Sequence, residues 1–560
     1  MTSPVALERP LAALPLDGPH PSRRRWWVLA VLCVSLAMIG LDNTILNVAL
    51  PTLVRDLHAS FSQLQWIIDS YTVVFAGLLL TAGSLGDRFG RKWVMLVGLG
   101  VFCAGSAFSA FAWSPEILVV TRALMGVGGA LVMPATLSIL TNVFVEPHER
   151  EKAIGIWAGV AGVGIAVGPI AGGLLLQHFW WGSVFLINVP VIVVGMIAAA
   201  LLVPNSADPA APRLDLVGAF LSTVGLAVLL WGIIEAPTTG WHSDRVLVGV
   251  SVGLVILGLF LAWELHTDHP MIHLRFFRNR RFSAAGGAIA LVVLGLYGTL
   301  FVLTQYLQFV LGYSALGTGV AFIPLALLLL IAGPASTPLV RRLGTKAVVS
   351  TGLLMIAGGL AWLATASANA TFVGGVLGPL AILGLGFGLT MAPTTESIMG
   401  SLPRAQAGAG SAMNSTLLQV GGALGVAIIG SVLSAGYRSS VDAVMAGHAV
   451  PAWVAQIIRS SVGGALEVAH RAGGTLGQAL AGAADHGFVH GMHMAMGVAC
   501  GFAVLGILVV VAFLPARAGT DPDAGSNEGR PTEQAEQAEL APDGDGSTTA
   551  SLPTATGVRG

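Results

Sequence analysis

Charged side chains are scarce in this chain: Asp, Glu, Lys and Arg make up 10% of its 560 residues, whereas 55% are hydrophobic. Soluble domains carry about 25% charged residues. The shortage therefore excludes a water-soluble core and predicts an all-α polytopic membrane protein. The formal net charge of −1 hides a segregated distribution of Lys and Arg, so bulk charge identifies no partner. We expect no nucleic-acid partner.

Cysteine is also rare. Cys33, Cys103 and Cys500 each lie inside an apolar segment, which favours packing over a disulfide framework or a metal cluster. Two histidine triplets have helical spacing, but nothing near them completes a metal site, so interfacial histidines are the simpler interpretation. The triplets are His486, His490 and His493, and His266, His269 and His273. We expect no metal and no cofactor.

Long apolar segments are abundant. A helix rises 1.5 Å per residue and the hydrocarbon core of a bilayer is about 30 Å thick, so roughly 20 apolar residues span it. Fourteen segments approach or exceed this length, each bounded by charged residues or by Pro and Gly. They cover residues 26–48, 63–85, 93–113, 116–140, 153–176, 184–203, 215–234, 246–265, 282–310, 316–337, 346–366, 372–398, 407–434 and 490–514.

Basic residues indicate the orientation of these spans, because cytoplasmic loops are enriched in Lys and Arg. The short loops on one side contain Arg55 and Arg245. The loops on the side of the N-terminus contain Arg88, Arg91, Lys92, Arg150, Lys152, Arg213, Arg275, Arg278, Arg280, Arg281, Arg341, Arg342, Lys346 and Arg404. This asymmetry places both termini in the cytoplasm and predicts a multi-pass protein of the cytoplasmic membrane.

The spans group into two bundles of six, with spans seven and eight as an inserted pair. A weak internal repeat supports this grouping: RFGRK, from Arg88 to Lys92, is similar to RLGTK, from Arg342 to Lys346. We expect a disordered cytoplasmic tail over 1–22, a first bundle over 23–203, the inserted pair with a basic loop over 204–281, a second bundle over 282–514 with an extracellular loop over 435–489, and a disordered tail over 515–560.

A carboxylate lies inside the first apolar segment. Asp42 belongs to the stretch LDNTILNVALP, from Leu41 to Pro51. A charge near the bilayer centre costs about 2.5–3.5 kcal/mol on insertion scales, so such a residue normally faces a protein interior or a watery cavity. Our hypothesis is that Asp42 gains and loses a proton during transport. The alternative is a carboxylate kept ionised by an interior cation for packing alone.

Several stretches resemble the motifs of a known family. GDRFGRK from Gly86, RALMGVGGA from Arg122 and GIAVGPIAGG from Gly164 resemble the loop, arginine and antiporter motifs of the major facilitator superfamily. LDNTILNVALP resembles the first-helix motif of its fourteen-span drug:proton antiporters. QWIIDSYTVVFAG from Gln65 and WWGSVFLINVP from Trp180 are similar to the branch that exports quaternary ammonium compounds and methyl viologen.

The resemblance implies transport roles for three charged residues, and the helical rise indicates that they share a layer. Asp42, Asp69 and Arg122 all fall about 7–9 Å to the outer side of the membrane midplane. Arg122 is always charged and is the natural partner of Asp42. We expect all three to serve proton coupling, and Asp69 also to bind substrate. A static ion pair is the alternative for Asp42 and Arg122, and an outward-reaching interfacial Asp is the alternative for Asp69.

The same resemblance implies a gating role for the loop after span two, in which Gly86 and Gly90 allow tight turns. Simple positive-inside anchoring would account for Arg91 and Lys92 but not for an Asp among them. The predicted gating residues are Gly83, Gly86, Asp87, Arg88, Gly90, Arg91 and Lys92.

The antiporter motif is expected to serve helix packing rather than substrate contact, because small residues let helices approach closely. Pro169 is expected to bend its helix. The motif residues are Gly164, Gly168, Pro169, Gly172 and Gly173, which continue a small-residue spacing that begins at Gly155 and Gly159.

Some acids of the resembled branch are missing. Span ten has no acid, and span thirteen offers Asn414, Ser415 and Gln419 where that branch can place carboxylates. This departure lowers the expected charge of the cavity and argues against divalent cations as substrates. The secondary candidates are Glu235, Glu396, Asn414 and Gln419. The two Glu residues lie close to an interface, where a solvated structural role is the alternative.

Aromatic faces together with a carboxylate hold lipophilic cations. The candidate substrate-binding aromatics are Trp66, Tyr71, Phe75, Tyr297, Phe301 and Tyr306, with lipid-facing or core packing as the alternative for each.

Together these features predict a proton-driven exporter of lipophilic cations and other apolar compounds. A dedicated exporter of one natural product, such as an antibiotic, is the alternative within the same class. An intramembrane enzyme or sensor is the alternative from another class, but we find no nucleophile and base at one depth, so we expect no enzyme. The expected partners are small lipophilic drugs, protons and the lipid bilayer, and we expect a monomer.

Overall fold

The computed structural model describes residues 22–207, 214–267, 269–272, 274–402, 407–446 and 450–516. Nearly all of the predicted tails, 1–22 and 515–560, and also Arg213, His273 and Arg404, lie outside these described residues. Within them the chain is helical and contains no strand.

The helices of the first half are α1 Ser22–Leu57, α2 Phe61–Phe89, α3 Arg91–Ala110, α4 Pro115–Val143, α5 Pro147–His178, α6 Ser183–Leu186, α7 Asn188–Leu202, α8 Leu216–Thr239 and α9 Asp244–His266. Those of the second half are α10 Arg280–Gln305, α11 Ala315–Ala321, α12 Ile323–Leu343, α13 Thr345–Leu363, α14 Leu377–Met399, α15 Ala407–Met445, α16 Ala452–Ser460, α17 Val462–Ala472 and α18 Gly474–Phe513. A π-helical turn, Tyr306–Val310, extends α10, and a second one, Phe372–Val376, precedes α14.

In the described part of the chain, thirteen helices are long and apolar enough to cross a membrane. Two of these crossings are each built from two helices, α6 with α7 and α11 with α12. α5 is the remaining long helix, at 32 residues. The count of fourteen spans stays a prediction, in which α5 would be the fourteenth.

Local sequence signals start and stop these helices. At the start of α2, Ser60 Oγ accepts from Gln63 N at 3.3 Å and Gln63 Oε1 accepts from Ser60 N at 2.9 Å, which is a capping box. Gly90 ends α2 with φ +102° and Gly344 ends α12 with φ +86°. Only glycine adopts such values without strain, so the two copies of the internal repeat form the same kind of turn.

The contacts between helices divide the molecule into two groups. α1 to α7 pack chiefly on one another, with the most extensive contacts between α1 and α5 and between α2 and α4. α10 to α18 form the second group, in which α15 lies against α10 and α18. α9 packs on α8, and α8 contacts both α2 and α15. The boundaries of the bundles, as domains, stay predictions.

We call the end with the α1–α2 turn the outer end and the end with the α2–α3 turn the inner end. In the described residues, the hydrogen bonds that join the two groups are made by Gln65 and Gln308, both in the outer half. α5 also contacts α11 there, since a Cβ on Gly319 would lie 2.3 Å from Pro169 O. The outer end is therefore closed in this conformation.

The segment predicted as a loop over 435–489 is largely helical. α15 continues to Met445, α18 begins at Gly474, and the short helices α16 and α17 lie between them. The hydroxyl of Tyr437 donates to Ile458 O at 2.8 Å and Ser461 O at 3.3 Å, which fixes the α16–α17 junction to α15. The Ala-rich, Gly-broken sequence of this segment predicts helical stretches around 453–469, and the structure has α16 and α17 there.

Candidate functional site

An ion pair joins α1 to α4 in the interior of the first bundle. Arg122 Nη1 donates to Asp42 Oδ2 at 2.5 Å, and both side chains are almost fully buried, at 1% and 0% exposure. Arg122 Nε also donates to Ile67 O of α2 at 3.2 Å. Sequence analysis had placed these two charges in one layer, and the structure brings them into direct contact.

The guanidinium of Arg122 also stacks on an aromatic ring. Its Cζ lies 4.4 Å from the ring centroid of Tyr71. The Tyr71 ring is itself held by Phe75, at a centroid distance of 5.6 Å, and by Phe102, at 6.5 Å. A planar guanidinium that both stacks and donates hydrogen bonds is fixed in orientation. Tyr71 therefore positions Arg122 in this conformation, and its substrate-binding role stays a prediction.

Two polar residues that sequence reasoning did not single out complete this network. Asn188 Nδ2, at the start of α7, lies 3.4 Å from Asp42 Oδ1 and donates to Ser106 Oγ at 3.1 Å. Ser106 Oγ in turn donates to Phe185 O at 2.8 Å. The Asn inside the apolar WWGSVFLINVP stretch could have indicated this network, because a buried amide needs polar partners. Asp42 is thus bonded to Arg122 of α4 and Asn188 of α7, and Ser106 of α3 supports Asn188.

Asp69 is the second buried carboxylate of the layer, and it differs from Asp42 in one respect. Its side chain is 0% exposed, and neither carboxylate oxygen has a hydrogen-bond partner among the described residues. Burying an ionised carboxylate without a partner is very costly. Binding of a proton or a cation would offset this cost, and the predicted roles of Asp69 stay predictions.

Most of the predicted aromatic residues are packed in this conformation. Phe75, Phe301 and Tyr306 are fully buried, as is Tyr71. Tyr306 donates its hydroxyl to Ser367 O at 2.5 Å. Trp66 and Tyr297 are half-buried, and Trp66 packs against the apolar cluster that α8 forms with α2 and α15. Their substrate-binding role stays a prediction.

The predicted gating loop bonds within its own half of the molecule. Asp87 pairs with Arg91 at 2.8 Å, and Lys92 Nζ donates to Ala200 O at 2.7 Å. Arg91 N donates to Ser206 O at 2.9 Å. A Cβ on Gly90 would lie 2.7 Å from Asn205 Oδ1, so a larger residue would displace the side chain of Asn205 in the linker after α7.

The remaining gating residues make fewer contacts. Arg88 is exposed and lies over the ring of Phe89. Gly86 is buried, and Gly83 is half-buried beside Pro134. No hydrogen bond or ion pair from Asp87 or Arg88 to the second bundle occurs among the residues that the structure describes.

The antiporter motif lies at the crossing of α5 with two other helices. A Cβ on Gly164 would lie 2.6 Å from Ala37 O, one on Gly168 2.0 Å from Thr44 Oγ1, and one on Gly172 2.9 Å from Ile45. Gly173 faces α11 instead, 2.7 Å from Ala315 O by the same measure. Pro169 lies inside α5 beside Gly319. The motif thus places α5 against α1 and against the second bundle.

The secondary candidates are not brought together. Glu235 accepts from Thr238 Oγ1 at 2.9 Å at the outer end of α8, whereas Glu396 is exposed near the inner end of α14. Asn414 is buried with its Oδ1 unpartnered in the described part of the chain, and Gln419 is half-buried. Their roles stay predictions.

Two glutamines, also missed from the sequence, join the bundles. Gln65 Nε2 donates to Val426 O at 3.1 Å and Ala427 O at 2.9 Å and lies 3.3 Å from Ser431 Oγ. Gln308 Nε2 donates to Val48 O of α1 at 2.9 Å. The Oε1 atoms of both glutamines are buried, and neither has a partner among the described residues.

Comparison with known proteins gives a consistent match. The model of the Major Facilitator Superfamily matches residues 32–426. The Multidrug efflux pump LfrA of Mycolicibacterium smegmatis is 38% identical over 419 residues, which are 75% of this chain and 83% of that protein. The Methyl viologen resistance protein SmvA of Salmonella typhimurium is 34% identical over 473 residues, 83% of this chain and 93% of that protein.

Another export protein and a solved transporter structure are also similar to this chain. The Tetracenomycin C resistance and export protein of Streptomyces glaucescens is 35% identical over 413 residues, which are 73% of this chain and 76% of that protein. Among solved structures, a bacterial homolog of the human lysosomal transporter Spinster, inward-facing and occupied, matches with a TM-score of 0.61 at 18% identity. The match covers 89% of this chain and 97% of that chain, and it supports the fold alone.

Proposed function

Because the chain belongs to the Major Facilitator Superfamily, a family of membrane transporters, we propose that it exports lipophilic drugs across the cytoplasmic membrane in exchange for protons. The observation that carries this proposal is the pair of buried carboxylates, one bound to Arg122 and one unpartnered. Two such groups at one depth supply one site for the coupling proton and one for a cationic substrate.

We infer that Asp42 is the coupling site. A proton that binds Asp42 neutralises it and breaks the charge attraction to Arg122, which then rests on Ile67 O and the Tyr71 ring. Loss of the proton restores the pair. Arg122 stays charged throughout, so the switch changes the attraction between α1 and α4 and is driven by the proton gradient.

Asp69 is the substrate site in this scheme. A lipophilic cation loses its hydration on entering the bundle and needs a counter-charge, whereas a neutral apolar ligand needs only area. One free carboxylate compensates one positive charge, so monovalent cations are the favoured class. Divalent cations are disfavoured because the second bundle offers Asn414 and Gln419 in place of acids.

The transport cycle is alternating access between the two bundles. The junctions at Gln65 and Gln308 keep the outer end closed, and the loop around Asp87 is free of the second bundle in the described residues. This corresponds to a state that loads substrate from the inner side. In our proposal both termini are cytoplasmic, the monomer is the working unit and no covalent reaction is catalysed.

The decisive experiment is ethidium transport in proteoliposomes energised by a pH gradient. Asp42→Asn keeps the side-chain volume but removes the titrating group, so we expect gradient-driven transport to stop while ethidium still binds. Asp442→Asn is the matched control, because Asp442 pairs with Arg459 at 2.5 Å on the outer surface. Gradient-driven transport by Asp42→Asn at the wild-type rate would remove Asp42 from the mechanism.

A dedicated exporter of a single natural product is the second candidate. The similarity to a tetracenomycin C export protein favours it, as does the low charge of the second bundle. A panel of monovalent cations, divalent cations and neutral polycyclic compounds separates the two candidates. Transport of several unrelated cations supports multidrug export, and transport of one neutral scaffold alone supports the dedicated exporter.

A further inference from the structure

A cavity of about 790 Å³ lies at the outer end of the molecule. It is enclosed by the end of α1, the end of α15, the helices α16 and α17, and the start of α18. None of the residues of the Asp42 network lines it. Its volume falls within the range of about 300–1,000 Å³ that is usual for sites of small ligands.

The interior of this outer cavity is apolar, and exposed apolar side chains also reach its mouth. Val54 and Ile458 form part of a buried wall, at 3% and 2% exposure. Trp453 and Leu476 lie at the opening, at 67% and 54% exposure. Exposed Trp is enriched at the boundary between lipid and water, and Trp453 lies at the start of the short helix α16. The cavity therefore opens through a surface that suits a molecule arriving from the bilayer.

The charges of the rim are unbalanced. Among the residues that the structure describes, the ionisable lining residues are Arg55, His58, Glu467 and Arg471. Glu467 is already paired with Arg471 at 2.9 Å. Arg55 has no ion pair among the described residues, and it lies near His58 at the end of α1. The rim therefore carries an unpaired basic side chain, Arg55, which attracts an acidic group and repels a lipophilic cation.

The backbone at His58 supplies an independent observation. His58 has φ +53° and is the one non-glycine residue with positive φ in the part of the chain that the structure describes. The position closes α1, with Ala59 N donating to Leu53 O at 3.5 Å, and glycine is the usual residue at such a helix end. Because glycine would adopt this backbone conformation at lower cost, we infer that the imidazole of His58 has a use beside the cavity.

We propose that the outer cavity binds an anionic phospholipid. An acyl chain occupies the apolar interior, and the phosphate group lies against Arg55 and His58. Arginine at the mouth of an apolar pocket is suited to a lipid phosphate because its donors match the phosphate oxygens. The site is separate from the layer of Asp42 and Asp69, so this proposal stands independently of the proposed transport function.

The test uses the purified full chain in detergent and a photoactivatable phosphatidylglycerol with a diazirine on one acyl chain. After irradiation, the labelled peptides are identified by mass spectrometry. We expect label in the peptides that contain Val54, Ile458 and Leu476. Unlabelled phosphatidylglycerol should compete about tenfold better than phosphatidylcholine with the same chains, as expected for one charge-assisted interaction.

Three variants make the test specific. Arg55→Gln should reduce labelling about tenfold. His58→Gly should also reduce labelling, while its thermal unfolding temperature stays equal or rises because glycine relieves the backbone strain. Asp56→Asn is the control, since Asp56 adjoins Arg55 in sequence but does not line the cavity, and its labelling should match that of the wild type.

Equal competition by phosphatidylcholine would overturn the proposal, because the cavity would then hold lipid through apolar contact alone. Competition by ethidium rather than by phosphatidylglycerol would also overturn it and would make the cavity part of the export route. Wild-type labelling of both Arg55→Gln and His58→Gly would remove the basic rim from the site.

Discussion

Gly430 of α15 lies against the side-chain amide of Gln65 of α2, so closely that a Cβ on Gly430 would be 2.7 Å from Gln65 Nε2. This approach lets Gln65 reach two carbonyl groups of α15. Its own Oε1 has no partner among the described residues, and a buried unpaired acceptor costs about 1–3 kcal/mol. Opening to water satisfies that oxygen, so the junction stabilises the closed outer end only weakly.

Gly430→Ala should therefore shift the population toward an open outer end, because the added methyl group displaces the Gln65 amide. Gln65→Ala in the same chain removes the overlap but also both hydrogen bonds to α15, so it should reverse only part of this shift. Spin labels on Phe111→Cys and Val373→Cys, both exposed at the outer end, measure the distance in a background without Cys33, Cys103 and Cys500. Identical distance distributions in the wild type and Gly430→Ala would show that this junction does not control closure.

The two buried carboxylates should respond in opposite ways to the same substitution. Asp42→Asn leaves the guanidinium of Arg122 without its counter-charge, which costs about 3–5 kcal/mol at a buried site. Asp69→Asn removes a carboxylate that has no partner and should leave stability unchanged or raise it. Thermal unfolding of the detergent-solubilised variants measures both effects. A lower unfolding temperature for Asp69→Asn would reveal a partner for Asp69.

Asp69→Asn also separates two kinds of substrate. The proposed function requires this variant to lose export of monovalent cations while it keeps export of neutral drugs, because only a cation needs the carboxylate. Resistance of cells to paired cationic and neutral compounds measures this difference. A parallel loss for both kinds would assign Asp69 to proton coupling, and equal export of both would place the counter-charge at Glu235 or Glu396.

The glycines of α5 give a matched pair for the packing of α1. A Cβ on Gly168 would lie 2.0 Å from Thr44 Oγ1, whereas one on Gly155 would meet nothing within 4 Å. Overpacking of a close helix crossing costs typically about 1–3 kcal/mol, so Gly168→Ala should lower both stability and transport. Gly155→Ala should change neither. Unfolding temperature and ethidium transport are the two measurements, and equal behaviour of the two variants would contradict the observed crossing.

Asp87→Asn tests the gating loop. The pair of Asp87 with Arg91 is partly exposed, and such pairs contribute about 0–1 kcal/mol, so stability should change little. We expect transport to fall because the loop acts in the conformational step, with ethidium affinity unchanged. Glu467→Gln, which breaks another i,i+4 pair, is the control. Cross-linking across the inner end measures its opening. A large loss of ethidium affinity with normal opening would contradict this role.

Hydrophobic length predicted the helices well, because a bilayer leaves the backbone few alternatives to long helices. The pairing of Asp42 with Arg122 also followed from depth, since a buried Arg needs an acid. The stacking of Arg122 on Tyr71 and the bonds of Asn188 did not follow, because they depend on how each helix is rotated about its axis. Apolar membrane helices have weak amphipathic patterns, and so the sequence does not define that rotation.

The Gln65 and Gln308 junctions were missed for a related reason. Each glutamine donates to the backbone of another helix. Every residue has a backbone carbonyl group, so the sequence does not show which one accepts the hydrogen bond. The sequence indicated helical stretches near α16 and α17 but not how they pack, because their positions depend on the anchoring of their junction by Tyr437.

α8 contacts both bundles, through α2 and through α15. Ser431 Oγ of α15 donates to Ile233 O of α8 at 2.9 Å, but the described contacts between α8 and α2 are apolar, around Val73, or steric, at Gly77. A helix that is bonded to one moving body and only in van der Waals contact with the other travels with the first. We therefore expect a shear plane between α2 and α8, along which the inserted pair keeps lipid out of the widening gap.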